Sequence, residues 1–66
     1  MEAYNVKKGT KVIIQDDDIN IAPSSIPVNN GDEVTIFTTD GMYCNGSNAD
    51  GDRIYIAAWT NVEPIK

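Results

Sequence analysis

The chain contains no histidine, no leucine and a single cysteine, Cys44. Without histidine it lacks the usual general base near neutral pH and the commonest metal ligand. A single cysteine allows neither an intrachain disulfide nor a thiolate zinc cluster. Small secreted domains normally need such staples, so a reducing, cytoplasmic setting is expected. Basic residues are scarce as well: five Lys and Arg stand against ten Asp and Glu, for a net charge of −5. That balance disfavours nucleic acid as a partner, because non-specific phosphate binding needs a basic surface. No run approaches the roughly 18 apolar residues of a membrane span, so no membrane partner is expected. The opening MEAYNVKKGT holds no apolar segment of the signal-peptide kind. With 66 residues, 41% of them apolar, there is room for one domain with a small core. Such a core encloses no dinucleotide or haem, and no cofactor is expected.

What is present points to strands. Nine Ile, five Val and five Thr dominate the side chains. Their branched Cβ loses rotamer freedom in a helix and fits the pleated surface of a sheet. Seven Asn and five Gly suit turns. Val12, Ile13 and Ile14 form a first apolar run after the turn pair Lys8-Gly9. Residues 15 to 31 read as an irregular loop packed through Ile19, Ile21 and Ile26, with a short strand at Ile19–Ala22. Glu33 to Thr39 alternates as a strand, Val34 and Ile36 on one face, Thr35 and Phe37 on the other. Asp40-Gly41 is a hairpin signal, and Met42 to Asn45 is the expected returning strand, with Met42 and Cys44 sharing a face. Gly46 to Asp52 reads as a polar turn, and Arg53 to Ala57 as a strand with Ile54 and Ile56 inward and Tyr55 outward. Ala58 to Asn61 has the length of one 3₁₀ turn. Val62 to Ile65 closes the sheet, with Pro64 at an edge. Five short strands with one long early loop make an all-β chain able to curl into a small barrel.

From Gly31 to Ile65 the order of these features resembles the Src-homology-3-like barrel. GDEVTIF (Gly31 to Phe37) matches the family's Gly-Asp before an alternating strand. MYCNG (Met42 to Gly46) matches its aromatic-then-Gly strand. GDRIYIAAWTNVEPI (Gly51 to Ile65) matches its Gly turn, apolar strand, helical turn and Val-Glu-x-Ile ending. Relatives that bind proline-rich peptides line a groove that this chain does not reproduce. VIIQDDD replaces their early aromatic segment, Ala58 stands at the groove proline and Asn61 at the groove tyrosine. Only Tyr43 falls where a groove tryptophan would be. The resemblance therefore implies the scaffold, a five-stranded barrel with a long loop after the first strand and a 3₁₀ turn before the last, and not the polyproline groove.

Several constellations point to no chemistry. Asp16, Asp18 and Asn20 take the first positions of a calcium loop, but Ile21 and Pro27 stand where Gly and Glu are needed. Asn48, Asp50 and Asp52 fail in the same way, at Arg53 and Trp59. No metal site is expected. Paired carboxylates need a burying pocket to act as acid and base, and Cys44 has no histidine to activate it, so the chain is not expected to be an enzyme. Asn45-Gly46-Ser47 fits a glycosylation pattern, yet it reads, like Asn30-Gly31, as a tight turn with positive φ.

The remaining features suggest binding. Tyr43 and Tyr55 fall out of phase with the inward Ile and Val positions, and Trp59 follows at the turn; exposed Tyr and Trp are typical interface anchors. Asp16, Asp17 and Asp18 form the densest charge and would steer a basic partner. The expectation is a non-catalytic protein-interaction module, a small acidic accessory or inhibitor protein of bacterial or phage type. It would bind a basic site on another protein through Tyr43, Tyr55, Trp59, Asp16, Asp17 and Asp18. Two alternatives stay open. One is a nucleic-acid-associated barrel using Lys7, Lys8, Lys11 and Arg53 with stacked aromatics. The other is a structural subunit, a homo-oligomer that self-associates through a sheet edge.

Overall fold

A computed structural model describes residues 1–65. Five strands form one antiparallel sheet: β1 (Thr10–Ile14), β2 (Glu33–Thr39), β3 (Tyr43–Asn48), β4 (Arg53–Ala57) and β5 (Val62–Pro64), in the order β4-β3-β2-β1-β5. β2 and β4 lie where the alternation of their sequences puts them. Val12, Ile14, Val34, Ile36, Cys44, Ile54, Ile56 and Val62 point to one side and are almost wholly buried. Ile19, Ile21 and Ile26 from the long β1–β2 loop pack against that core, so the loop acts as its lid. The short strand expected at Ile19–Ala22 is reduced to a single bridge between Ile21 and Ile56.

The five-stranded all-β architecture is the expected one, and its sheet is not closed, because β4 and β5 do not pair. Other segments hold the backbone groups at both margins. Along β4, the Tyr55 N–H donates to Ser25 Oγ at 3.0 Å and its carbonyl accepts from Ala22 N at 3.0 Å, while Ala57 N donates to Asn20 O at 2.8 Å. Along the stretch from Ala58 to Val62, the first residues of the chain take the strand's place. Tyr4 N donates to Ala58 O at 3.0 Å, Ala3 N to Thr60 O at 2.8 Å, and Val62 N to Met1 O at 2.7 Å. Ala3 is thereby fully buried, at the start of a 3₁₀ turn spanning Ala3–Asn5.

That is the 3₁₀ helix of this chain; the one expected before the last strand is a single tight turn. Thr60 directs both its N–H (3.0 Å) and its hydroxyl (2.7 Å) at the Ala57 carbonyl, and the chain then extends straight into β5. Pro64 sits opposite Val12 in a pair whose nitrogens face away from β1, where a missing N–H costs no ladder bond.

β3 departs furthest from expectation. It runs to Asn48, and Gly46 is not a turn residue. Gly46 pairs with Ile36 on one side and Ile54 on the other, without a positive φ. A Cβ there would overlap the Thr35 carbonyl oxygen and come within 3.4 Å of the Ile36 Cα. The glycine serves close backbone approach, not turn geometry. Beside it β2 carries a bulge, since Ile36 faces Gly46 but Thr38 faces Asn45, leaving Phe37 as the extra residue. The bulge breaks the strict alternation expected for Thr35 and Phe37. The polar turn contracts to the four residues 49–52, tied by Asn48 Oδ1, which accepts from Asp50 N at 3.0 Å and Asp52 N at 2.9 Å. Gly31, by contrast, has the expected positive φ of 90°.

Gly46→Ala should destabilise the protein by about 3 kcal/mol, because neighbouring backbone and not a flexible side chain must move. Urea denaturation monitored by Trp59 fluorescence checks this. Asp50→Ala, at an exposed position in the same hairpin, should change stability by less than about 0.5 kcal/mol.

Candidate functional site

The most exposed large apolar side chains are Met42 (59%), Trp59 (56%), Met1 (55%) and Tyr4 (50%). Three of them surround one residue. Ala58 donates its N–H to the Met42 carbonyl at 2.8 Å and accepts from Tyr4 N at 3.0 Å. Met42, Ala58 and Tyr4 are thus hydrogen-bonded neighbours, and Trp59 follows Ala58 in the chain. Tyr4, Thr39, Gly41, Ala58 and Trp59 line an open groove of about 350 Å³. A second groove of about 260 Å³ shares Tyr4 and Thr39 with the first and continues over Val6, Phe37 and Cys44. Among the described residues, neither lining includes a charged one.

The turn at one wall is built by its own side chains. Asp40 Oδ1 accepts from Tyr43 N at 2.8 Å and Met42 N at 3.0 Å. Thr39 Oγ1 accepts from Gly41 N at 3.2 Å, and Gly41 takes φ 100°. The Tyr43 N–H first, and then that of Met42, hold the Asp40 carboxyl below the usual carboxylate range. The β2–β3 turn that supplies Thr39 and Gly41 to the groove therefore carries a negative charge that persists into acid. Burial pushes the Cys44 thiol up, so the sulfur beneath the second groove is a protonated, poorly nucleophilic group at neutral pH.

The six residues expected to bind a partner are not brought to one place. Trp59 is on the groove. Tyr43 and Tyr55 lie on the outer face of the β3–β4 hairpin, where Tyr43 faces Ala57 and Asn45 faces Tyr55. The two tyrosines are therefore diagonal neighbours, within reach of one another, and both are half-buried. Neither lines the groove with Trp59. Tyr4 does, and sequence reasoning did not select it. Its placement depends on the first residues docking along Ala58–Val62, which leaves no periodic trace.

Among the three aspartates, Asp17 and Asp18 are exposed but Asp16 is engaged. Asp16 Oδ2 accepts from Asn61 N at 3.0 Å and its Oδ1 from Asp18 N at 3.0 Å. It ties the long loop to the start of β5. These two donors, Asn61 first, lower its pKa from the ordinary value of 3.8. Among the described residues no Lys or Arg is in the groove lining: Lys11 is 4.0 Å from Glu33, and Arg53 pairs across from Ser47. Among the described residues, no group of three or more His, Cys, Asp or Glu is placed to hold a metal ion, and no helix is long and apolar enough to cross a membrane. Compared with family models, curated proteins and solved structures, the chain has no significant match.

Asp16 and Asp40 set a pH dependence whose sign follows from their lowered folded-state pKa. Each contributes stability that is present above the unfolded value of about 3.8 and is lost as pH falls through the folded value. Stability should be flat from pH 7 to about 5 and fall below about 4. Asp16→Asn should flatten the acid limb and destabilise at pH 7, since an amide offers one acceptor where two donors converge. Asp40→Asn keeps the single oxygen in use and should cost less. Thermal melts at pH 3, 5 and 7 read out both.

Proposed function

We propose that this chain is a non-catalytic protein-interaction module on a small barrel scaffold of Src-homology-3-like type, an acidic accessory or inhibitor protein that binds a basic site on a partner. The observation that supports it is the cluster of Trp59, Tyr4 and Met42 around Ala58, exposed by half or more on a 66-residue domain. Large aromatic side chains at an open groove, with an exposed Met nearby, supply contact area at low entropic cost. The scaffold reading rests on the five antiparallel strands, the long loop after β1 and the tight turn before β5. The groove uses Ala58, the position of the family's groove proline, but its walls are Tyr4 and Trp59.

In this reading Trp59 and Tyr4 anchor, Tyr43 and Tyr55 extend the contact on the hairpin's outer face, and Asp17 and Asp18 steer the approach of a basic partner. Asp16 belongs to the scaffold. Pairing of a second copy at a sheet edge would have to displace residues 20–25 from β4 or residues 1–4 from Ala58–Val62, so self-association is the less favoured reading.

The test is affinity capture with a C-terminal tag, using the wild type, Trp59→Ala and Asp17→Asn/Asp18→Asn, with circular dichroism confirming that each is folded. A protein retained by the wild type should dissociate from Trp59→Ala at least about tenfold faster, the loss of one interface anchor. The double Asp variant should mainly slow association and flatten its salt dependence. Material that disappears on nuclease treatment would replace this reading with the nucleic-acid one. Equal retention by Trp59→Ala would remove the groove from it.

A further inference from the structure

The two grooves meet at Tyr4 and Thr39, and their surroundings select among partner side chains. Among the described residues no Lys or Arg lines either one. Thr39 and Gly41 line the groove beside Trp59, and Asp40 stands between them with its carboxylate fixed on the turn's N–H groups. An indole and a phenol exposed at the groove, an anchored carboxylate on the turn that supplies Thr39 and Gly41 to its lining, and a net charge of −5 together complement a cation that carries apolar bulk. The continuation over Val6 and Phe37 is uncharged and fits an aliphatic neighbour.

We propose that the Trp59–Tyr4 groove is the receiving site for an arginine or lysine side chain of a partner protein, with an aliphatic residue adjacent to it in the partner entering the groove over Val6 and Phe37. This rests on the protein-interaction reading and gives it a ligand chemistry. The cation lies against the Trp59 face and the Asp40 carboxylate faces its charge. Three separate pieces of chain build the site: the 3₁₀ turn, the β2–β3 turn and the turn after β4. Occupancy therefore also clamps the first residues of the chain onto Ala58–Val62, because Tyr4 belongs to both.

Trp59 is the only tryptophan, so its fluorescence reports the site directly. The probes are the acetylated, amidated peptide Gly-Val-Arg-Gly and the same peptide with citrulline, a neutral isostere, for Arg. The Arg peptide should shift Trp59 emission and bind about tenfold more tightly than the citrulline peptide. It should also slow hydrogen exchange at the Ala3 and Tyr4 amides, which bond to Thr60 and Ala58. Asp40→Asn should reduce the preference to about threefold, while Asp50→Asn, which removes the same charge elsewhere, should leave it in place. Equal affinity for the two peptides would overturn the cation preference while leaving the groove as a docking site. An Asp50→Asn effect as large as that of Asp40→Asn would reduce the preference to overall charge and also overturn it. No change in Trp59 emission by about 10 mM of either peptide, a Kd too weak for any useful anchor, would overturn the proposal outright. The wider interaction reading would then stand or fall on the Trp59→Ala capture alone.

Discussion

The backbone from Ala58 to Asn61, between β4 and β5, belongs to no strand, and the rest of the structure depends on how its groups are satisfied. An unpaired buried N–H or carbonyl costs about as much as a lost hydrogen bond or more. β4 and β5 leave the sheet at opposite margins, so neither can serve the other. The first four residues serve the stretch after β4, and residues 20–25 serve β4 itself. Both are irregular segments used as substitute strands. They also cover edges that would otherwise template aggregation, which matters for a domain too small to bury much else.

The exposed groove follows from the same constraint. Tyr4 reaches the groove because its N–H bonds to Ala58, while the Met42 carbonyl accepts from the other side of that residue. The tight turn held by Thr60 then leaves Trp59 outside, while Thr60 itself is buried. A short β4–β5 connection thus buries a hydroxyl and exposes an indole in adjacent positions. The groove and the docking of the first residues share Tyr4 and Ala58, so anything that bound in the groove would also stabilise the fold.

The acidic loop shows a division of labour that charge density alone conceals. Three consecutive aspartates look equivalent as a cluster. Asp16 is a fastener, its two oxygens bonded to the N–H groups of Asn61 and Asp18. Asp17 and Asp18 remain exposed and carry the field toward solvent. Asp40 combines both functions: it organises the β2–β3 turn and keeps its charge there, between the groove-lining Thr39 and Gly41 in the chain.

Much of the fold was legible in local pattern. The alternation of Glu33–Thr39 and Arg53–Ala57 sets the bounds of β2 and β4, and the β-branched composition without leucine specifies an all-β chain. Ile19, Ile21 and Ile26 marked the long loop as a packed one. Gly46 was misread because a glycine after Asn has the same local signature whether it turns the chain or lets two strands approach; only the Thr35 carbonyl beside it tells them apart. The bulge at Phe37, the open sheet and the grouping of Tyr4 with Trp59 were also beyond the sequence. Periodicity records which face a residue takes within its own strand. It holds no record of hydrogen bonds between distant parts of the chain, such as the one joining Met1 to Asn61, 60 positions away. The sequence by itself determined the strands and their buried faces; which aromatic residues meet was decided by the tertiary structure, through backbone bonds that any residue but proline could have made.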